Sequence, residues 1–454
     1  MVYFDTSQIQ QLSPHLVEQN NYVQILHSML QDSDANVVTN AIYVINELQL
    51  ADGGLKVSQS LIMGLLNRIG EFSEWGLNVI LDLVSRYKPI NEEEAFAIMN
   101  LLDPVLRTAN SGSVLATMKA FLQLTATMPE LHPQIISRSK PPLLTLITGA
   151  FSESQYMTLK HVHNILHQPM AKGIFDDEYR QFFVRYNEPP HVKHLKVELL
   201  PLIANSSNAR DIATELNEYV TDVDAELSRR AIRALGEIAS QIESVSEEMT
   251  TSIVQLMDID SNYIRSEAAK VLCDVVRVHP RMSDFVLPSL GRNIRRVEDP
   301  EAKAALIWML GEFGGNILEA PYALETIING YDDEQSVVVK LQVLTASMKL
   351  FFQRPPEMQR MLGKLLKFAL NDTSNQDLHD RALLYYRLLS TDIQSSSSLF
   401  VAGVACSSIE SDFAERKDLE LKKKLFAEFN SLAVIFEKPS CLFIDDKFQL
   451  VFLI

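Results

Sequence analysis

Cysteine is scarce in this 454-residue chain, with three residues at 273, 406 and 441. They are odd in number and far apart, so no disulfide framework can be drawn and no metal-ligand spacing appears. Such usage fits a reduced, cytosolic setting. In that setting the glycosylation patterns at Asn205-Ser206-Ser207 and Asn371-Asp372-Thr373 carry no meaning. Glycine and proline are sparse, and the prolines fall between apolar blocks, which excludes a loop-rich or low-complexity chain. Long hydrophobic runs are missing as well. The stretch Leu399 to Cys406 falls well short of the roughly 20 residues that span a bilayer, so membrane contact is expected to be peripheral. Asp5 stands early and no basic-then-apolar order follows it, so no secretory leader is expected.

Positive charge is in deficit. The net charge of −17 argues against nucleic acid as a ligand, because phosphate neutralisation needs clustered Lys and Arg. Three small basic clusters exist: Arg229, Arg230 and Arg233; Arg292, Arg295 and Arg296; and Lys422 to Lys424. Solvated helix faces account for such runs, with an acidic partner or anionic lipid as the other reading.

What is present is a repeat. An acidic, Asn- or Pro-containing turn recurs, followed by apolar residues at i, i+3, i+4 and i+7. Matched apolar positions are Val38, Trp75, Val114, Tyr156, Val192, Leu227, Ile264, Ala302, Val337 and Leu378, at spacings of 35 to 42 residues. A two-helix repeat of this length predicts an all-α, HEAT/armadillo-like right-handed solenoid of about ten helix pairs. About twenty antiparallel helices are expected across residues 20–392, with no sheet in that span. Small residues such as Ala41, Gly76, Ala231, Ala269 and Ala305 recur where neighbouring helices must approach closely. Beyond Asp392 the pattern stops. Residues 393–454 read as a linker and less ordered tail, helical from about Asp412 to Phe429 and β-like from Leu432.

Candidate chemistry is thin. His163 and His167 lie four apart on one helix, but Asn164 stands where a zinc-protease helix carries Glu, and no third ligand is near in sequence. Gly311, Gly314 and Gly315 follow a helix rather than a strand, so a helix cap is expected, not a phosphate loop. Trp308 is placed in the core. Of the adjacent Tyr385 and Tyr386, one should be core and the other free to reach a partner. Asp445 and Asp446 sit in the undefined tail. No catalytic, cofactor-binding or metal residue is assigned, no partner-binding residue can be named, and the chain is not expected to be an enzyme.

Several segments carry a resemblance: Glu74-Trp75-Gly76 with Leu81-Asp82, FFVRYNEPPHVKHLK from Phe182, EYVTDVD from Glu218, DPEAKAALIWMLGEF from Asp299 and DLHDRALLYYRLLSTD from Asp377. Together, over residues 22–392, they resemble the trunk of the β-type large subunit of heterotetrameric adaptor complexes, the β-adaptins. EFNSLAVIFEKPS from Glu428 is similar to the hinge of the β subunit of adaptor complex 4. The resemblance implies a non-catalytic coat subunit in vesicle transport at the trans-Golgi network or endosomes. It implies medium, small and second large adaptor subunits as partners, with an Arf-type GTPase and cargo tails. Residues 1–21 diverge from that trunk. No Leu-φ-x-φ-Asp/Glu clathrin box follows residue 392 and no ear domain is complete, so direct clathrin binding is not expected. An alternative is another helical scaffold, such as a nuclear transport receptor or phosphatase scaffold. If the array starts inside the family trunk, Tyr22, Ile25 and Leu26 should be more exposed than their later equivalents.

Overall fold

The computed structural model describes residues 22–49, 54–149, 151–372, 375–391, 397–400 and 420–443. Among these no strand occurs. The contacts divide the chain into two compact units, residues 1–177 with 415–454, and residues 178–414.

Unit 1 contains α1 (Tyr22–Met29), α2 (Ala35–Leu48), α3 (Gln59–Asn67), α4 (Glu74–Arg86), α5 (Glu92–Leu106), α6 (Ser111–Leu124), α7 (His132–Ile147) and α8 (Ser152–Leu166). Local chemistry sets where several of these start. Asp34, Ser58, Ser73, Asn91 and Asn110 each accept a backbone N–H of the first turn, so the recurring polar turns of the sequence are helix N-caps. Helices α2, α4, α6 and α8 stack in series, and the intervening helices pack behind them. That stacking buries stripes that no single pair could cover.

The cap also corrects one matched position. Ser73 begins α4, which leaves Trp75 in the first turn, 82% exposed, while Leu77 takes the buried place. Tyr156 and Val337 are only partly covered; Val38, Val114, Val192, Leu227, Ile264, Ala302 and Leu378 are buried as expected. At the start of the array Ile25 is exposed, but Leu26 is buried against α2, contrary to the expectation of exposure.

Unit 2 contains α9 (Pro190–Ile203), α10 (Ala209–Tyr219), α11 (Ala225–Gln241), α12 (Glu243–Leu256), α13 (Asn262–Val278), α14 (Ser283–Asn293), α15 (Pro300–Phe313), α16 (Ala320–Asn329), α17 (Val337–Gln353), α18 (Pro355–Asn371) and α19 (Gln376–Thr391). Proline in the first turn of α9, α15 and α18 presets the backbone where no N–H partner is needed. The odd-numbered helices α9 to α19 form one layer; the even-numbered helices form the other. Among the described residues before 392 there are nineteen α-helices, α1–α19, against the expected number of about twenty.

Candidate partner-binding surfaces

In unit 2 the odd-numbered layer carries a ladder of ion pairs between successive repeats. Arg230 reaches Glu198, Arg233 reaches Glu267, Lys303 reaches Glu334, and Lys270 lies 3.0 Å from Asp299. Lys340 lies 2.9 Å from Asp372. The basic cluster at Arg229 to Arg233 is therefore a compensated face. Arg295 of the second basic cluster donates to the Thr326 hydroxyl at 3.0 Å. Trp308, expected in the core, is half-buried beneath the Arg277 guanidinium at 4.7 Å. An amphipathic indole at the edge of a stripe finds a cation above it rather than a hydrocarbon neighbour.

The other layer and the end of unit 2 are more apolar. Phe285 on α14 and Tyr322 on α16 are exposed. Between α18 and α19 runs a groove of about 600 Å³, whose walls include Leu362, Leu366, Leu370, Tyr386 and Leu389. Tyr385 is buried beside it and Tyr386 is exposed, as the adjacent pair requires. Gly311 sits inside α15 against α17 and is not a cap, whereas Gly314 closes the helix.

A second feature of unit 2 was hidden from the sequence. Lys196 falls on the apolar stripe of α9 and is wholly buried. Its Nζ lies 2.6 Å from Glu188 Oε1 and 3.1 Å from the carbonyl of Phe183. Glu188 Oε2 accepts the Arg185 amide at 3.0 Å, and the Tyr219 hydroxyl accepts the Val184 amide at 2.8 Å. Burial pulls the Lys196 ammonium below its usual range, and the Glu188 carboxylate opposes that pull. Burial, together with the Glu215 carboxylate that accepts its proton, pushes the Tyr219 phenol up. The network fixes the turn from Phe183 to Glu188, which presents Tyr186 99% exposed with Lys193 5.8 Å over its ring. The only available signal was a lysine at a stripe position four residues after Val192.

In unit 1 the histidines of α8 meet the C-terminal segment. His163 Nε2 and His167 Nε2 are 3.2 Å apart, so one imidazole donates to the other. Burial lowers both, each to about 4, with Lys160 and Lys422 acting in the same direction on His163 and Glu437 opposing. Among the described residues no group of three or more His, Cys, Asp or Glu side chains is arranged to hold a metal ion. His161 is fully buried, its Nδ1–H donating to the Met157 carbonyl 2.7 Å away. Phe429 packs edge-to-face on its ring at 4.9 Å. Lys160 pairs with Glu437, and Lys422 lends its carbonyl to Gln168 at 3.5 Å.

The tail thus differs from its sequence reading. Residues 420–427 are helical as expected, but Leu432–Phe436 is a short helix, not β-like. A five-residue apolar run does not distinguish the two by itself; Ser431 starts a turn and Ala433 and Val434 bury against α8. Burial pushes the Cys273 thiol up to about 12, and Cys441 is exposed. Cys406, Asp445 and Asp446 lie outside the described residues. No helix among the described residues is long and apolar enough to cross a membrane.

Stacked helix pairs with compensated ion-pair faces and exposed apolar edges define a helical-repeat solenoid. The description "Adaptin N terminal region" matches residues 7–393, and the chain belongs to the adaptin family, in its β-adaptin branch. It is 40% identical over 430 residues to beta-adaptin-like protein A of Arabidopsis thaliana, covering 92% of this chain and 50% of that protein. With the AP-4 complex subunit beta-1 of Mus musculus it shares 34% over 367 residues, 81% of this chain and 49% of the relative. The AP-1 complex subunit beta-1 of Homo sapiens is 32% identical over 445 residues, 97% of this chain and 46% of the relative. The chain therefore spans about half the length of these relatives. A chain in a homology model of the full-length AP-3 complex shares the fold, with a TM-score of 0.58 at 16% identity, covering 84% of this chain and 69% of that one.

Proposed function

We propose that this chain is a non-catalytic β-type subunit of an adaptor coat complex in vesicle-mediated protein transport. In this reading it scaffolds a medium, a small and a second large subunit for cargo sorting on trans-Golgi or endosomal membranes. An Arf-type GTPase and cargo tails are further partners, membrane association is peripheral, and direct clathrin binding is not expected. Adaptor complex 4 is the favoured member.

The observation that carries this reading is the family match over residues 7–393 on a helical-repeat fold. The exposed apolar edges of unit 2, Phe285, Tyr322 and the α18–α19 groove, support it, because obligate interfaces are apolar at their centre. The test is co-expression with a medium adaptor subunit, followed by size-exclusion chromatography and thermal melts. Co-elution and a raised melting temperature are expected, since a partner that binds only the native state stabilises it. A monodisperse chain whose melting ignores the medium subunit would remove the assembly reading.

A further inference from the structure

The even-numbered helices of unit 2 stack in series, α10 on α12, α12 on α14 and α16 on α18. Among the described residues of unit 2, α18 ends that series, and α19 is an odd-numbered helix with no even-numbered one after it. Two contacts mark the side of α18 that faces α16. The Phe368 ring stacks on Tyr331 with centroids 5.9 Å apart, and Lys364 donates to Asn329 at 2.6 Å. By the turn of an α-helix, Gln359, Gly363, Leu366 and Leu370 lie on the opposite side. Those four, with Tyr386 and Leu389 of α19, wall the groove of about 600 Å³. The groove is thus the place that the next even-numbered helix of the series would take, and a repeat array needs its last apolar face covered.

Charge says what fits there. Lys367 lines the groove, and Arg360 and Arg387 each follow a lining residue, Gln359 and Tyr386. All three cations are exposed and form no ion pair among the described residues, unlike the compensated ladder of the odd-numbered layer. Of the carboxylates on these two helices, Glu357 is held by Arg354, Asp380 accepts from His379, and Asp377 lies in the first turn of α19. Phe400, beyond α19, stacks on Phe352 at 5.6 Å and meets Tyr385 edge-on at 5.3 Å, and none of these rings lines the groove. A second copy docked by the same face would set the cations against one another, because a two-fold contact is self-complementary. A helix with an apolar stripe and carboxylates beside it would cover the leucines and pair the cations at once.

We infer that the α18–α19 groove receives one amphipathic helix of a partner protein, which extends the even-numbered layer by one member. The stripe it buries is leucine-like, at i, i+3, i+4 and i+7. Asp or Glu flanks that stripe on both sides, for Arg360 and Lys367 along α18 and for Arg387 on α19. The inference goes beyond the adaptor reading, because it specifies the shape and charge of the occupant and stands whichever protein supplies the helix.

The probe is a fluorescent synthetic peptide of 17 residues, the length of α18, with leucine on the stripe, glutamate on both flanks and alanine elsewhere. Its control carries lysine for every glutamate. Fluorescence anisotropy with the full-length chain should show saturable binding of the glutamate peptide. The lysine peptide should bind about tenfold more weakly, since exposed ion pairs become repulsions. A Cβ on Gly363 meets nothing within 4 Å, so Gly363→Trp can enter the groove without disturbing the packing beneath it. That variant should lose the peptide, and Gly363→Ala should keep it. Arg360→Glu with Arg387→Glu changes two exposed side chains and should turn the preference toward the lysine peptide, which a merely misfolded chain would not do. Binding of neither peptide, equal binding of both, or indifference to the charge reversal would overturn the inference. A dimer of the chain alone, seen by sedimentation and lost in Gly363→Trp, would place a second copy in the groove and overturn the assignment to a partner.

Discussion

A Cβ placed on Gly311 would fall 2.6 Å from the Cα of Ala346 and 2.7 Å from its Cβ. Helices α15 and α17 therefore touch backbone to backbone, with no side chain between them at this level. Gly236 on α11 is different, since its missing Cβ would meet Val271 Cγ1, the end of a side chain.

That difference orders three substitutions. Gly311→Ala forces two helix backbones apart and should cost about 3 kcal/mol, the upper end for overpacking. Gly236→Ala should cost less, because Val271 can turn and alanine favours the helix by about 1 kcal/mol. Gly363→Ala meets nothing within 4 Å and should stabilise by up to about 1 kcal/mol. Urea midpoints of the three variants check the order; a Gly311→Ala chain as stable as the wild type would refute the close approach.

The Lys196–Glu188 pair gives a second outcome. Lys196→Met leaves a buried carboxylate without its cation, and breaking such a pair costs about 3–5 kcal/mol. Lys196→Met combined with Glu188→Gln should recover most of that loss, because the amide can still accept from Arg185. Chemical denaturation of the single and double variants reads the coupling. The single variant should also free the turn that carries Tyr186, seen as faster exchange of the Val184 and Arg185 amides.

How much of this could be read in the sequence follows from what the patterns encode. Period and capping residues are local, so the helices, their number and the polar turns at Asp34, Ser73 and Asn110 were legible. Position within a turn was less so. Trp75 is apolar and near the stripe, but its cap at Ser73 turns it outward. Trp308 and Lys196 share a stripe with aliphatic residues, and only three-dimensional partners, Arg277 above one and Glu188 beside the other, explain them. The contact of Phe429 with His161 joins residues 268 positions apart, and no periodicity reports such a pairing.

The ladder of unit 2 predicts unequal effects among ion pairs that look alike in sequence. Lys340 and Asp372 keep only 12% and 14% of their side-chain surface, and Lys340 also lies 4.6 Å over the Tyr331 ring. Outside the ladder, Arg210 on α10 and Glu248 on α12 are widely exposed at 3.1 Å. Lys340→Met should cost about 1–2 kcal/mol, whereas Arg210→Met should stay within about 0.5 kcal/mol. Melts in low and high salt separate the cases, because screening acts on exposed charges. Equal losses would mean that the ladder is only a solvated face.

The histidine pair of α8 makes the stability of unit 1 depend on pH in a defined direction. Burial holds His163 and His167 at about 4, against about 6.5 for a free imidazole. Between these values the unfolded chain binds protons that the folded chain refuses, so stability falls as pH drops from about 6.5 to about 4. Above 6.5 both states are neutral and this contribution is flat. Each imidazole can remove at most about 1.4 kcal/mol per pH unit across that window. Protonation also ends the Nε2–Nε2 hydrogen bond and sets two cations beside Lys160 and Lys422, with Glu437 alone opposing them. His161, buried on the same helix, is shifted in the same direction and adds to the fall. The expected result is a melting temperature that declines from pH 6.5 to pH 4, with residues 152–166 and 420–443 losing hydrogen-exchange protection first. The variant carrying His163→Gln and His167→Gln should show a shallower decline, since glutamine keeps a side-chain hydrogen bond without the charge. An identical slope in that variant would assign the pH dependence to other groups.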